Sequence, residues 1–211
     1  ACGTAIMLSP TNPPGWVLTP VGPDPATVAD LILSLYRRYG AQISAFELFP
    51  GANTGEGWGA NPDPKAYAAL YLLVQSRLEE AGSSSLLIAG GLRPLSTGAP
   101  GTDWNDLDYL RGLYTAGARD WMPVLSLQFT SLTGTPLQAP AAGKNLLRHY
   151  EEVRQVMLDY GHTNGLLWMT RLAAPDGTIH LNDLQFTGRQ RQAEWLQQAL
   201  VQMRSQLYMG V

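Results

Sequence analysis

Segments with strand-like patterns alternate with segments of helical periodicity along most of the chain. Asp24-Pro25 and Asp63-Pro64 each place a helix N-cap before a proline at the first helical position, and apolar residues then recur every three or four positions. Short apolar runs bounded by glycine separate these helices. The predicted strands span 5–9, 43–49, 86–89, 123–129 and 165–171, and a further strand begins at 209–211. This alternation is typical of an α/β fold with a parallel sheet.

The length and composition indicate one domain. The chain has 211 residues, of which 45% are hydrophobic, and this is enough for a single substantial core. It is shorter than the roughly 250 residues typical of a complete (β/α)8 barrel. We therefore expect one domain over 1–211.

The charge and the cysteine content exclude several functions. Charged residues make up only 15% of the chain and its net charge is -3, so a basic surface for nucleic acid is not expected. No apolar run is long enough to span a bilayer. Cys2 is the single cysteine, and no Cys/His cluster has the spacing of a zinc site. No metal and no cofactor are predicted.

Four segments carry a resemblance to a known family. They are 5–16 (AIMLSPTNPPGW), 35–47 (LYRRYGAQISAFE), 88–95 (IAGGLRPL) and the helix at 192–200. In this order they resemble the clan A glycoside hydrolases, in particular the xylosidase-like family 39. The resemblance implies a TIM (β/α)8-type barrel that is partial, from about strand 3 to the start of strand 8. It also favours a location outside the cytoplasm.

The resemblance fails where that family carries its catalytic glutamates. The family's fourth strand ends in Trp-Glu-Ile-Trp-Asn-Glu-Pro-Asn, whereas this chain reads FELFPGAN over 46–53, which puts Gly51 at the acid/base position. In the seventh strand, Arg171 stands at the position of the nucleophile. In the sixth strand, Gln128 begins the segment that replaces the family's His-Pro-Tyr. Glycine has no side-chain group, and arginine stays cationic, so the resemblance predicts a pseudoenzyme without the carboxyl pair of a retaining glycosidase.

Other carboxylates leave an alternative open. Glu47 lies on the predicted fourth strand and Glu56 in the glycine-rich loop after it, and an active hydrolase could use either as a displaced carboxylate. Asp183 follows His180 closely, but two ligands are a weak metal signal. The acidic residues around 103–108 are expected to begin a helix, while His149 and His162 are assigned to a helix face and a turn.

Three tryptophans predict a ligand-binding role. Trp16, Trp58 and Trp104 follow predicted strands, at the end of a parallel barrel where ligands bind, and flat aromatic rings stack well on sugars. The alternative is that they pack the loops onto the barrel. Three further residues complete the predicted ligand-binding set: Asn53, Gln128 and Arg171. The hypothesis is a catalytically inactive domain that binds carbohydrate or acts as an interaction scaffold.

A partial barrel would leave two strand edges open. Unpaired parallel edges promote aggregation unless they are covered. We expect chain segments of a longer parent protein, or a protein partner, to cover them.

Overall fold

The computed structural model describes residues 4–95, 102–130, 132–173 and 188–210. The strands are β1 (Ile6–Leu8), β2 (Leu18–Thr19), β3 (Gly22–Pro23), β4 (Ile43–Leu48), β5 (Leu86–Leu92), β6 (Val124–Phe129), β7 (Leu166–Leu172) and β8 (Met209–Gly210). The α-helices are α1 (Pro25–Tyr39), α2 (Gly55–Trp58), α3 (Pro64–Glu80), α4 (Asp106–Thr115), α5 (Ala118–Trp121), α6 (Tyr150–Asp159) and α7 (Gly188–Arg204). Short 3-10 turns lie at Gly15–Val17, Gly40–Gln42 and Leu147–His149.

The two long helices that the sequence predicts from Asp-Pro pairs begin where expected. An Asp24 carboxylate oxygen accepts a 2.8 Å hydrogen bond from the Thr27 N–H at the start of α1. Asp63 accepts bonds from the N–H groups of Lys65 and Ala66 at the start of α3. Each cap satisfies backbone donors that the first helical turn leaves unpaired.

Six strands form one parallel sheet in the order β1-β4-β5-β6-β7-β8, and β2 and β3 form a separate antiparallel pair. The sheet is strongly curled. The Thr170 hydroxyl on β7 donates a 2.6 Å hydrogen bond to Glu47 on β4, although β5 and β6 lie between these strands. In a flat sheet the two strands would be about 14 Å apart. The prediction of a partial TIM-type barrel is confirmed.

The two faces of the sheet bury different side chains. The outer face packs against the helices through fully buried residues such as Phe46, Leu48 and Leu125, which belong to one hydrophobic cluster with Tyr67 and Tyr71 of α3. The inner face has a small apolar cluster of Ala45, Ile88 and Val124, against which Met7, Leu86 and Trp168 pack. Because the strands are parallel, their carboxyl ends lie together on the side of the sheet where the βα loops meet.

None of the helices in the described ranges combines the length and the apolar character needed to cross a membrane.

Candidate functional site

The chain turns sharply after β4 and lies on the glycine pair of β5. Phe49 and Gly51 have positive φ angles of 50° and 83°. The Gly51 N–H donates a 2.7 Å hydrogen bond to the Gly91 carbonyl, and a Cβ on Gly91 would come within 2.5 Å of Pro50 Cα. Glycine at position 91 thus allows the turn to approach the neighbouring strand directly.

Arg93 covers the position that Gly51 leaves without a side chain. A Cβ on Gly51 would lie 3.0 Å from Arg93 Nε and 3.1 Å from Arg93 Cζ. The guanidinium also forms a 2.7 Å ion pair with Glu56, whose side chain is 76% exposed. The hydrogen bond and the charge of Arg93, with a smaller effect of Arg171, lower the Glu56 pKa. The Arg93 guanidinium therefore lies at the end of β4, beside Gly51 and paired with Glu56.

The side-chain amide of Asn53 forms hydrogen bonds within the protein. Its side chain is fully buried, and its Oδ1 accepts a 2.9 Å bond from the Arg93 N–H. Its Nδ2 donates to the carbonyls of Arg93 at 2.9 Å and Trp104 at 3.0 Å. Asn53 ties the loops after β4 and β5 together and is a positioning residue.

Glu47 lies inside the curled sheet. It is buried, and its two carboxylate oxygens accept 2.6 Å hydrogen bonds from the Ser9 and Thr170 hydroxyls. The carboxylate links the loop after β1 to β4 and β7. This arrangement suits a structural role at the base of the barrel mouth, which is the region at the carboxyl ends of β4 to β7 and the loops that follow them.

Gln128 and Arg171 lie side by side at the ends of β6 and β7. The pairing of these strands shifts by one residue, so that Leu127 pairs with Met169 but Gln128 pairs with Arg171. Such a bulge turns the side chain that follows it. Arg171 consequently shares the inner face with Gln128, which strict alternation from Trp168 and Thr170 would not allow.

The three loop tryptophans have different environments. Trp16 is 79% exposed. Trp58 is fully buried, packs edge-on against Phe49 at 5.4 Å, and donates from Nε1 to the Val21 carbonyl. Trp104 packs against Tyr109, and its ring lines a cleft of about 530 Å³ beside α3 and α4. Only Trp16 presents a freely exposed ring, whereas Trp58 holds the loops together.

The structure also contains a polar cluster that sequence reasoning missed. His149 binds Asp106 of α4 through Nε2 at 2.7 Å and Glu152 of α6 through Nδ1 at 2.5 Å. Burial acts to lower the pKa of His149, but the hydrogen bonds and charges of the two carboxylates outweigh it and raise the pKa. The cluster lines a cleft of about 350 Å³ that also includes Lys144. The three-residue spacing of His149 and Glu152 is a helical signal, but the contact with Asp106 joins distant segments.

No grouping of three His, Cys, Asp or Glu side chains suited to a metal ion occurs within the described ranges. Cys2, His180 and Asp183 lie outside those ranges.

The fold was compared with solved structures. A GH128 subgroup III curdlan-specific exo-β-1,3-glucanase from Blastomyces gilchristii, in complex with glucose, is similar with a TM-score of 0.57 and 16% identity, over 99% of this chain and 72% of that one. A GH128 subgroup II endo-β-1,3-glucanase from Sorangium cellulosum gives 0.53 and 14%, over 98% and 68%. A GH39 β-xylosidase from Caulobacter crescentus gives 0.48 and 16%, over 77% and 34%.

The two GH128 likenesses define the class of fold. The chain has a TIM-type α/β barrel fold, and its described residues form a curled sheet of six strands. No family model matches the sequence, and no curated protein matches it.

Proposed function

We propose that this chain is a catalytically inactive, glycoside-hydrolase-like domain that binds carbohydrate at the carboxyl ends of its strands. One observation carries the proposal. The resembling family has a glutamate at the end of each of two strands, and this chain has Gly51 and Arg171 at those positions. The Arg93 guanidinium lies over Gly51. A guanidinium cannot act as a nucleophile or a general acid.

The remaining carboxylates near the mouth fit poorly with retaining chemistry. That mechanism needs an ionised nucleophile and a protonated acid about 5 to 5.5 Å apart. Glu47 accepts hydrogen bonds on both oxygens inside the sheet. The lowered pKa of Glu56 keeps it ionised, which disfavours it as a proton donor near neutral pH.

Carbohydrate binding has separate support. The mouth retains polar groups on β6 and β7, and Trp16 offers an exposed ring on the loop after β1. The two GH128 structures of similar fold are β-1,3-glucanases, and one of them holds glucose. Polar groups and exposed flat aromatic rings are both common features of sugar-binding sites.

Hydrolysis and binding should be measured on the same protein sample. Incubation at high protein concentration with a panel of aryl glycosides and β-1,3-gluco-oligosaccharides should release no product above a buffer control. Calorimetric titration of oligosaccharides should show binding that Trp16→Ala weakens, while replacement of the buried Trp58 by Phe should act through stability. Lack of binding across a broad glycan panel would leave only a scaffold role and would refute the proposal.

The second candidate is a hydrolase that uses Glu56, which lies exposed on the loop after β4. Product release by the wild-type protein that is lost in Glu56→Gln would favour it. Glu47→Gln provides the matched test for the buried carboxylate.

A further inference from the structure

The inner surface of the sheet changes character along its strands. It begins with the apolar cluster around Ala45, Ile88 and Val124. Hydroxyl and carboxyl groups follow, with Glu47 and Thr170 hydrogen bonded to each other. Gln128 and Arg171 come last, at the strand ends. The polarity thus increases toward the side where the βα loops meet, and the last layer holds a cation.

Gln128 contributes an unused acceptor to this last layer. The residue is only 6% exposed. Its side-chain oxygen Oε1 is buried and has no hydrogen-bond partner among the described residues. Buried polar atoms in native proteins are nearly always paired, so this oxygen is suited to a hydroxyl donor from a bound molecule.

Arg171 contributes a cation at the end of β7. Its side chain is exposed, and it forms no ion pair within the part of the chain that the structure describes. Because Arg171 pairs with Gln128, the two backbones are about 4.8 Å apart. Two neighbouring side chains on one face can therefore contact the same small molecule. Guanidinium groups bind carboxylates through two parallel hydrogen bonds.

We infer that the sugar recognised at this mouth is a uronic acid, whose carboxylate binds Arg171 while a ring hydroxyl donates to Gln128 Oε1. The inference rests on the proposed carbohydrate binding and adds the chemical class of the sugar. A neutral sugar could donate to Gln128 but offers the Arg171 guanidinium no anionic group.

Glu56 is the main competitor for the cationic groups of the mouth. Its carboxylate is paired with Arg93 at 2.7 Å and also feels the charge of Arg171. A bound carboxylate would be repelled by this like charge. Glu56→Gln should therefore strengthen the binding of acidic sugars several-fold, and this effect should fade at high salt.

The experiment compares acidic sugars with neutral counterparts of the same skeleton. Trisaccharides of galacturonic, mannuronic and guluronic acid are each titrated calorimetrically, beside the same sugars with reduced carboxyl groups, at low and high sodium chloride. At least one acidic form should bind tenfold or more tightly than its reduced counterpart, and salt should weaken it.

Two variants test the assigned residues. Arg171→Gln should abolish the tenfold preference and its dependence on salt, and Gln128→Leu should weaken the acidic form while its salt dependence remains. Arg37→Gln on the exposed side of α1 is the control for the change of charge. Circular dichroism of each variant establishes that it is folded.

The outcomes separate the inference from the proposed function. Equal binding of acidic and reduced forms, or equal effects of Arg171→Gln and Arg37→Gln, would overturn the uronic acid assignment and leave carbohydrate binding in place. Absence of binding for all acidic and neutral sugars, including β-1,3-gluco-oligosaccharides, would overturn both.

Discussion

The guanidinium of Arg93 lies directly over Gly51, within 3.0 Å of where a Cβ would be. A side chain at position 51 would therefore require Arg93 to shift from its present place. The end of β4 thus carries a cation that is also paired with Glu56.

Introducing the two glutamates of the resembling family should not produce hydrolysis. In Gly51→Glu/Arg171→Glu, the side chain introduced at position 51 must displace Arg93 at a backbone φ of 83°, which we expect to lower the free energy of unfolding by about 1–3 kcal/mol. Aryl glycoside turnover and urea denaturation measure the two effects. Gly82→Ala, at a φ of 70° with open space around it, is the control for the backbone cost alone. Hydrolysis by the double variant would contradict this account.

Two glycines of α2 should respond very differently to alanine. A Cβ on Gly57 would overlap the backbone carbonyl of Gly51, whereas the nearest atom to a Cβ on Gly55 is 3.6 Å away. Gly57→Ala should cost about 2–3 kcal/mol because backbone must move. Gly55→Ala should be neutral or slightly stabilising, since alanine favours the helix. Urea unfolding curves of the two variants test this, and similar midpoints would show that the loop adapts freely.

Asn53→Ala should destabilise the protein by about 3 kcal/mol, because it leaves three partly buried backbone groups of Arg93 and Trp104 unpaired. The Trp104 environment should change as well, and this is visible as a shift in fluorescence. Asn61→Ala, in an exposed loop, should stay within about 0.5 kcal/mol of the wild type. A cost for Asn53→Ala as small as that of the control would refute the bridging role.

The contacts of His149 with Asp106 and Glu152 should stabilise the protein most when the imidazole is protonated. The carboxylates of Asp106 and Glu152 raise its pKa in the folded state against the effect of burial, and Lys144 is a further charge of the same cleft. Its contribution is thus complete below the unfolded pKa of about 6.5 and disappears as pH rises through the folded pKa. His149→Gln should cost about 1–3 kcal/mol at pH 6 and less at pH 9.

His162 provides a control, because its contribution to stability should change with pH in the opposite direction. Burial, together with Arg154 and Arg119, lowers the pKa of His162, and its ring hydrogen bonds to the Tyr114 hydroxyl at 2.8 Å. Its contribution therefore grows as pH rises, because the neutral ring is the folded form. Urea denaturation of wild type, His149→Gln and His162→Gln between pH 6 and 9 should give opposite slopes for the two differences. Parallel slopes would contradict both assignments.

Local signals in the sequence predict much of the fold. The Asp-Pro pairs at the starts of α1 and α3 act through neighbouring backbone groups, so sequence alone identifies them. The β2–β3 pair has two residues in each strand, which is too short for a periodic pattern. Strand β5 continues through Gly90 and Gly91 to Leu92, beyond the predicted end, because glycine there permits close packing of the neighbouring turn.

The site depends on contacts that periodicity does not encode. The bulge that places Arg171 beside Gln128 breaks the two-residue alternation of a strand. Trp58 is buried because Gly22 has no Cβ that would overlap its ring, and nothing in the sequence joins these two positions. Asp106 and His149 are 43 residues apart, so only the tertiary fold reveals their contact.

Saturation-transfer NMR follows carbohydrate binding and carbohydrate cleavage in the same sample. The protein is mixed with an excess of uronic acid and β-1,3-glucan oligosaccharides, saturation transfer to ligand protons is recorded, and the anomeric signals are followed for days. We predict saturation transfer to intact sugar with no new reducing ends. Appearance of reducing-end signals that Glu56→Gln abolishes, or absence of transfer to any sugar, would contradict the account.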